Sequence, residues 1–121
     1  MQRGQELTTD LFPSFLKWSD YKSKDEKKPD TITIKVTELE TWESEYSINV
    51  NAEVKKKSEF IEMSIPLKSH ETKNSALVDL WNKAVSMKRI AVGDTIAIQT
   101  WIGKSTKSDH EIRRWRLIRN D

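Results

Sequence analysis

Apolar and polar residues alternate along the stretch TITIKVTEL, and this two-residue period is the pattern of a half-buried β-strand. Its apolar face consists of Ile32, Ile34 and Val36, and its other face consists of threonines and Lys35. Leu39 does not keep the parity of the apolar face. This break predicts a bulge or bend near Glu38 before the strand resumes.

Two further stretches have the same period. In YSINVNAEV the inward face carries Tyr46, Ile48 and Val50, and in EFIEMSIPL it carries Ile61, Met63, Ile65 and Leu67. The turn between these two predicted strands is KKKS, which contains Lys55, Lys56 and Lys57. Because successive side chains of a strand point to opposite faces, Phe60 is expected to face outward together with Glu62 and Ser64.

The period changes after Pro66. Across NSALVDLWNKAVSMK, apolar residues recur at spacings of three and four, which predicts one amphipathic helix. Asn74 or Ser75 can cap its start, and Lys88 and Arg89 suit the negative end of its dipole. The apolar stripe of this helix consists of Ala76, Leu77, Leu80, Trp81, Ala84, Val85 and Met87.

The stretch from Val92 to Arg119 predicts two more strands joined by a polar turn. Along the first, Ile96, Ile98, Thr100 and Ile102 share the core-facing parity, and Ala97, Gln99 and Trp101 share the other. Along IRRWRLI, Arg114 and Arg116 share one parity, and Arg113, Trp115 and Leu117 share the other. Parity therefore predicts an outward Trp101 and groups Trp115 with the core.

The predicted order of elements is three strands, one helix and two strands. This order is typical of the OB-fold, so we expect an all-β domain with one helix, a five-stranded Greek-key barrel with the helix between strands 3 and 4. A bulged first strand fits such a barrel because that strand must serve both of its sheets.

Residues 1–30 are predicted to form an N-terminal arm and linker, and residues 31–121 the barrel domain. The segment LFPSFLKW holds too many large apolar groups to remain in water, so we expect it to dock on the domain. Charges of both signs alternate along SDYKSKDEKKPD, and Pro29 disfavours helix at Asp30, which indicates a linker.

The composition of the chain excludes several kinds of functional site. The chain has 121 residues, of which 36% are hydrophobic and 33% are charged, and this predicts one domain with a modest core. It has no cysteine, which excludes disulfides, thiolate zinc sites and thiol catalysis. With only 3 glycines, it contains neither the P-loop motif nor GxGxxG. His70 and His110 have no partner at ligand spacing, so we expect no enzyme, no metal and no cofactor.

No apolar run approaches the ~18–20 residues of a membrane span, and the N-terminus lacks the apolar centre of a secretory signal. We therefore expect a cytoplasmic protein that does not enter membranes.

The net charge of +2 conceals an asymmetry. Residues 1–54 contain 7 Lys and Arg against 11 Asp and Glu, and residues 55–121 contain 14 against 8, so the halves carry −4 and +6. A basic half suggests a polyanionic partner. Four guanidinium groups lie within seven residues, at Arg113, Arg114, Arg116 and Arg119, and such groups can contact phosphates bidentately and stack on bases. The alternative is that they pair with the acidic first half.

The order of elements, the VGDTI entry into strand 4 and the aromatic and basic strand 5 resemble the OB-fold single-stranded DNA-binding proteins, including archaeal and replication protein A type modules. The resemblance covers roughly residues 31–119. It implies a binding face on strands 1 to 3, flanked by the loops after strands 1 and 4. The residues that this assigns to the face are Trp42, Tyr46, Phe60, Trp101, Lys104 and Lys107.

Charge adds the turn lysines Lys55, Lys56 and Lys57 and the outward Arg114 and Arg116 to this candidate site. The alternative for the three lysines is a solvated hairpin tip, which also prevents association through the sheet edge. Aromatic rings can stack on any base, and cations follow the phosphates. One feature departs from the family pattern, because Trp42 lies in the acidic stretch ELETWESEY. Its carboxylates would repel a phosphate backbone unless they point away or read base edges.

The sequence thus predicts binding of single-stranded DNA, or RNA, with low sequence specificity, through stacking and Lys/Arg contacts to phosphate. The alternative is an OB module for protein–protein interaction, which docks a partner protein or a second copy without binding nucleic acid. The position of LFPSFLKW matters to both, because an arm lying over Phe60 and Trp101 would cover the binding face.

Overall fold

The computed structural model describes residues 14–72, 74–104 and 111–120. This part of the chain is mostly β with a single α-helix. The strands are β1 Ser14–Phe15, β2 Asp30–Val36, β3 Trp42–Glu43, β4 Ile48–Lys56, β5 Glu59–Lys68, β6 Thr95–Lys104 and β7 Glu111–Asn120. The helix α1 spans Ala76–Ser86, and a short 3-10 turn spans Trp18–Asp20.

The strands form one sheet in the order β1-β5-β4-β2-β6-β7, with β3 paired beside β4. All pairs are antiparallel except β1 with β5. Within the described residues β5 and β7 are not hydrogen-bonded to each other, so the sheet is not closed.

The predicted break in the first strand lies between β2 and β3. Val36 pairs with Ala52, and Trp42 pairs with Asn49, so residues 37–41 stand opposite only two residues of β4. The extra residues bend the chain, as a bulge does.

Two inward assignments from the sequence are wrong. Tyr46 is 81% exposed, because β4 begins only at Ile48 and its pairing with β5 shifts between Ile48 and Asn49. Ile61 is 45% exposed although it pairs with the buried Val54. It lies near the β4–β5 turn, at the end of β5 that extends past the core.

The core lies between the sheet and one side of α1, where Leu77, Val78 and Trp81 are buried. The Trp81 Nε1–H donates to the carbonyl oxygen of Leu39 at 3.1 Å, which ties the helix to the bend after β2. At the start of the helix, Asn74 Oδ1 accepts from the amide of Ala76 at 2.9 Å. This side chain supplies a hydrogen bond that the first turn lacks.

The arm is part of the same core. Leu16 and Trp18 are 3% and 0% exposed, and the amide of Leu16 donates to the carbonyl of Ser64 at 2.9 Å, continuing the β1–β5 pairing. The Trp18 Nε1–H donates to the carbonyl of Pro66 at 2.7 Å, and its ring meets Trp115 of β7 edge-on, with centroids 4.7 Å apart. Trp18 therefore spans the gap between β5 and β7. Residues 11–13 of LFPSFLKW lie outside the described residues.

Trp115 packs against the core, as its parity predicted. Its Nε1 is buried and has no hydrogen-bond partner in the described part of the chain. The ring contacts Trp18, and the Cζ of Arg113 is 5.9 Å from the ring centroid.

Candidate nucleic-acid interface

Three aromatic side chains lie on the side of β4 and β5 that faces away from the core, which we call the outer face. Phe15 and Phe60 are 46% and 40% exposed, and Trp42 is half-buried. The rings of Phe15 and Trp42 are 5.9 Å apart with an interplanar angle of 56°. Phe15 pairs with Ser64, which is on the same face of β5 as Phe60 and about 13 Å along the strand. We call Phe15, Trp42 and Phe60 the aromatic platform.

Hydrogen bonds fix Trp42 at the Phe15 end of the platform. The Trp42 Nε1–H donates to Asn51 Oδ1 at 2.9 Å, and the Ser64 hydroxyl donates to the same oxygen at 2.9 Å. Asn51 and Ser64 are directly opposed on β4 and β5. The indole is therefore held in one orientation, so less side-chain freedom is lost when a ligand binds.

Three lysines stand at the Phe60 end of the platform. Lys55 is the cross-strand partner of Phe60, and Lys56 is the partner of Glu59. Lys57 occupies the left-handed region with φ 59°, as tight hairpin turns require. All three are exposed, and none forms a salt bridge with another described residue.

A row with two carboxylates crosses the outer face between Phe60 and Asn51. Glu53 of β4 is paired with Lys35 of β2 on one side and with Glu62 of β5 on the other. Directly opposed like charges repel each other, and Lys35 offsets one of them. The acidic residues that surround Trp42 in the sequence are also largely exposed, at Glu38, Glu40, Glu43 and Glu45.

Trp101 does not join the platform. It faces outward by parity but is only 7% exposed, because the guanidinium of Arg116 lies over its ring, with Cζ 4.8 Å from the centroid. Arg116 Nη1 donates to Gln99 Oε1 at 3.1 Å, and Arg116 Nη2 forms a salt bridge with Glu26 Oε2 at 3.6 Å. The linker also reaches this strand, since the amide of Ile102 donates to the carbonyl of Ser23 at 2.8 Å.

The other cations of the last two strands are partly engaged as well. Arg114 is half-buried, lies against Gly103 and donates to the carbonyl of Lys104 at 3.3 Å. Lys104 is exposed, and Lys107 lies outside the described residues. Tyr46 is exposed in the turn before β4. The structure thus places Trp42 and Phe60 on the outer face of β4 and β5, with Lys55–Lys57 beside Phe60. Trp101, Arg114 and Arg116 lie apart from them on β6 and β7.

Arg113 belongs to the interior. It is 8% exposed, and its Nη1 donates to Thr100 Oγ1 at 3.3 Å. Burial lowers the pKa of Arg113 from its ordinary value, and the charges of Asp30 and Glu71 act in the opposite direction. A guanidinium remains protonated in proteins despite such effects. Its role is therefore to hold β7 against β6, and it cannot reach a phosphate on the surface.

Two members of the site were not identified from the sequence. Phe15 was assigned only to the docking arm, and its parity within that arm could not show which side would face solvent. Asn51 alternates with the buried Val50 and Ala52, which is a signal for an outward position. What the alternation could not show is that Trp42 would come within hydrogen-bonding distance.

Other kinds of site find no support in the described part of the chain. No group of three His, Asp or Glu residues there could hold a metal ion. His70 is exposed, and His110 is outside the described residues. No helix there is long and apolar enough to cross a membrane.

Comparison of the chain with protein-family models, with curated proteins and with solved structures gives no significant match.

Proposed function

We propose that this protein binds single-stranded nucleic acid, DNA or RNA, on the outer face of β4 and β5 with little sequence preference. The observation that carries the proposal is the aromatic platform next to three exposed lysines, Lys55, Lys56 and Lys57. Every base has a π-face, and stacking of one base on an aromatic side chain contributes ~1–3 kcal/mol. Ammonium groups beside the rings can follow the phosphates.

The topology supports the same face. We interpret the five long strands as an open OB-fold barrel, with β2, β4 and β5 as its first three strands and the arm filling the gap between β5 and β7. In OB-folds the face of strands 2 and 3 binds oligonucleotides. Those strands correspond to β4 and β5. Phe60 lies on β5, and the rings of Trp42 and Phe15 lie on the same outer face.

The charges on the outer face suggest how a strand would lie. Glu53 and Glu62 occupy the row between Phe60 and Asn51, where phosphates would be repelled. We therefore place the bases over the platform and the sugar–phosphate backbone on the side of the Lys55–Lys57 turn. Binding of this kind requires no metal, no cofactor and no catalytic group.

The proposal is tested by titrating the purified protein with short oligothymidine while tryptophan fluorescence is recorded, at several salt concentrations. Trp42 reports on stacking because its ring is half-buried on the platform. We expect saturable quenching at low salt that weakens as salt is added, since phosphate contacts release counterions. Absence of saturable quenching at low salt would overturn the proposal.

The alternative of a protein-interaction module has one observation in its favour. Glu53 and Glu62 lie among the exposed rings, and a mixed aromatic and acidic surface also suits a protein partner or a second copy of the chain. Light scattering on the same sample separates the two. An oligomer that shows no quenching by nucleic acid would favour protein interaction.

A further inference from the structure

Asn51 lies at the Phe15–Trp42 end of the aromatic platform, and the oxygen of its side-chain amide is fully used. Its Oδ1 accepts two hydrogen bonds, from the Trp42 indole and from the Ser64 hydroxyl, both at 2.9 Å. A carbonyl oxygen has two lone pairs. Asn51 Oδ1 therefore has no capacity left to accept from a ligand.

The indole N–H of Trp42 determines the orientation of the Asn51 side-chain amide. An indole N–H can only donate, so the amide atom that faces Trp42 Nε1 must be the oxygen. The reverse orientation would place two donors 2.9 Å apart. The amide nitrogen accordingly lies on the other side of the group.

Asn51 is half-buried, and its Nδ2 is not fully removed from solvent. It has no hydrogen-bond acceptor among the described residues, and it is not one of the buried polar atoms that lack a partner. Asn49 Nδ2, two residues earlier on β4, is such a buried atom. Asn51 thus presents one donor and no free acceptor at this point.

We infer that Asn51 Nδ2 donates to the edge of a stacked base and gives the site a preference for bases that present a carbonyl oxygen there. These are thymine and uracil with O4, and guanine with O6. Cytosine and adenine present an amino group at the same position, which needs an acceptor that Asn51 cannot supply. The inference rests on the proposed function and names its preferred substrate class.

The size of the preference follows from one hydrogen bond. A neutral hydrogen bond contributes little net free energy, so we expect oligothymidine to bind roughly 2- to 10-fold more tightly than oligocytidine of the same length. Oligodeoxyuridine should bind like oligothymidine, because it has the same O4 and lacks only the methyl group. This modest ratio agrees with low overall sequence preference.

The decisive variant is Asn51→Asp, compared with the wild-type protein by titration with all three oligonucleotides. The substitution keeps an oxygen for Trp42 and Ser64 but replaces the outward donor with an acceptor. We expect the oligothymidine preference to disappear or to reverse in favour of oligocytidine. Asn51→Ala removes the donor without adding charge and should abolish the preference as well, which provides a second reading if Asn51→Asp folds poorly.

Lys55→Gln is the matched control, because it changes the net charge by the same amount on the same face. It should weaken binding of all three oligonucleotides and leave their ratios unchanged. Equal binding of oligothymidine and oligocytidine by the wild-type protein, or an unchanged ratio in Asn51→Asp, would overturn the inference but not the proposed function. Failure of every oligonucleotide to bind would overturn both.

Discussion

Phe60 shows what a single residue contributes to the candidate site. Its ring is 40% exposed on the outer face, and its cross-strand partner is Lys55. The core below is filled from the opposite face of β5, by residues such as Met63 and Ile65. Phe60 thus contributes little to the core, and its exposed ring is available for stacking.

Phe60→Ala should weaken binding of oligothymidine while leaving the fold nearly intact. Loss of one stacked base corresponds to ~1–3 kcal/mol, or roughly 5- to 150-fold in affinity. The free energy of unfolding should change by only about 1 kcal/mol or less, because the ring is already partly solvated. Fluorescence titration and urea denaturation measure the two effects.

Met87→Ala is the control for Phe60→Ala. Met87 is a large apolar residue that is 52% exposed, but it lies at the C-terminal end of α1, away from the outer face. Its removal should leave affinity unchanged. If Phe60→Ala binds oligothymidine as tightly as Met87→Ala does, Phe60 is not a stacking residue.

At the scale of elements, period and parity were enough to predict most of the long strands and the helix. Ile32, Ile34 and Val36 are buried as the alternation of β2 indicated, and Leu77 and Trp81 are buried on α1. These predictions succeed because the burial of each residue in a regular element follows from its own local period.

The elements that the sequence did not predict depend on contacts between distant segments. The two-residue strand β1 has no detectable period, and its pairing with β5 links residues far apart in the chain. Trp101 was expected to be exposed from its parity, yet Arg116 from the neighbouring strand covers it. Such contacts exist only once the strands are in register, so a local pattern does not report them.

The arm combines a residue of the core and a residue of the candidate binding face. Trp18 points into the core and is 0% exposed, whereas Phe15 points outward and is 46% exposed. Trp18 also joins β5 and β7, which are not hydrogen-bonded to each other within the described residues, by its hydrogen bond to Pro66 and its contact with Trp115. The arm therefore replaces part of the missing strand–strand contact between β5 and β7.

Trp18→Ala should be strongly destabilising. Removal of a buried tryptophan typically costs about 3–5 kcal/mol in the free energy of unfolding, which is a large share of the 5–15 kcal/mol of a small domain. The loss should appear as a lower urea midpoint. Phe15→Ala, in the same arm, should shift the midpoint far less but weaken oligothymidine binding. Similar midpoints for the two variants would contradict the assignment of Trp18 as the link between β5 and β7.

At the scale of the whole molecule, the basic second half of the chain divides into engaged and available cations. Arg113 is buried, Arg116 lies over Trp101 and pairs with Glu26, and Arg119 lies 3.8 Å from Asp94. The salt bridge between Arg116 and Glu26 joins the basic second half of the chain to the acidic first half. Such pairing is the alternative to phosphate binding that the sequence suggested. The hairpin lysines Lys55–Lys57 have no such pair within the described residues.

This division predicts which cations set the salt dependence of binding. For single-stranded nucleic acid, the logarithm of the binding constant falls with the logarithm of salt concentration by about 0.7 for each phosphate neutralised. If each hairpin lysine contacts one phosphate, replacing Lys55, Lys56 and Lys57 with Gln should make the slope shallower by about 2. Arg116→Gln removes one positive charge on β7, at the far end of the strand order from β5, and should leave the slope unchanged, while reducing stability by about 1 kcal/mol through loss of its contact with Trp101. If Arg116→Gln makes the slope shallower and the lysine variant leaves it unchanged, the phosphates contact β6 and β7 and not the β4–β5 hairpin.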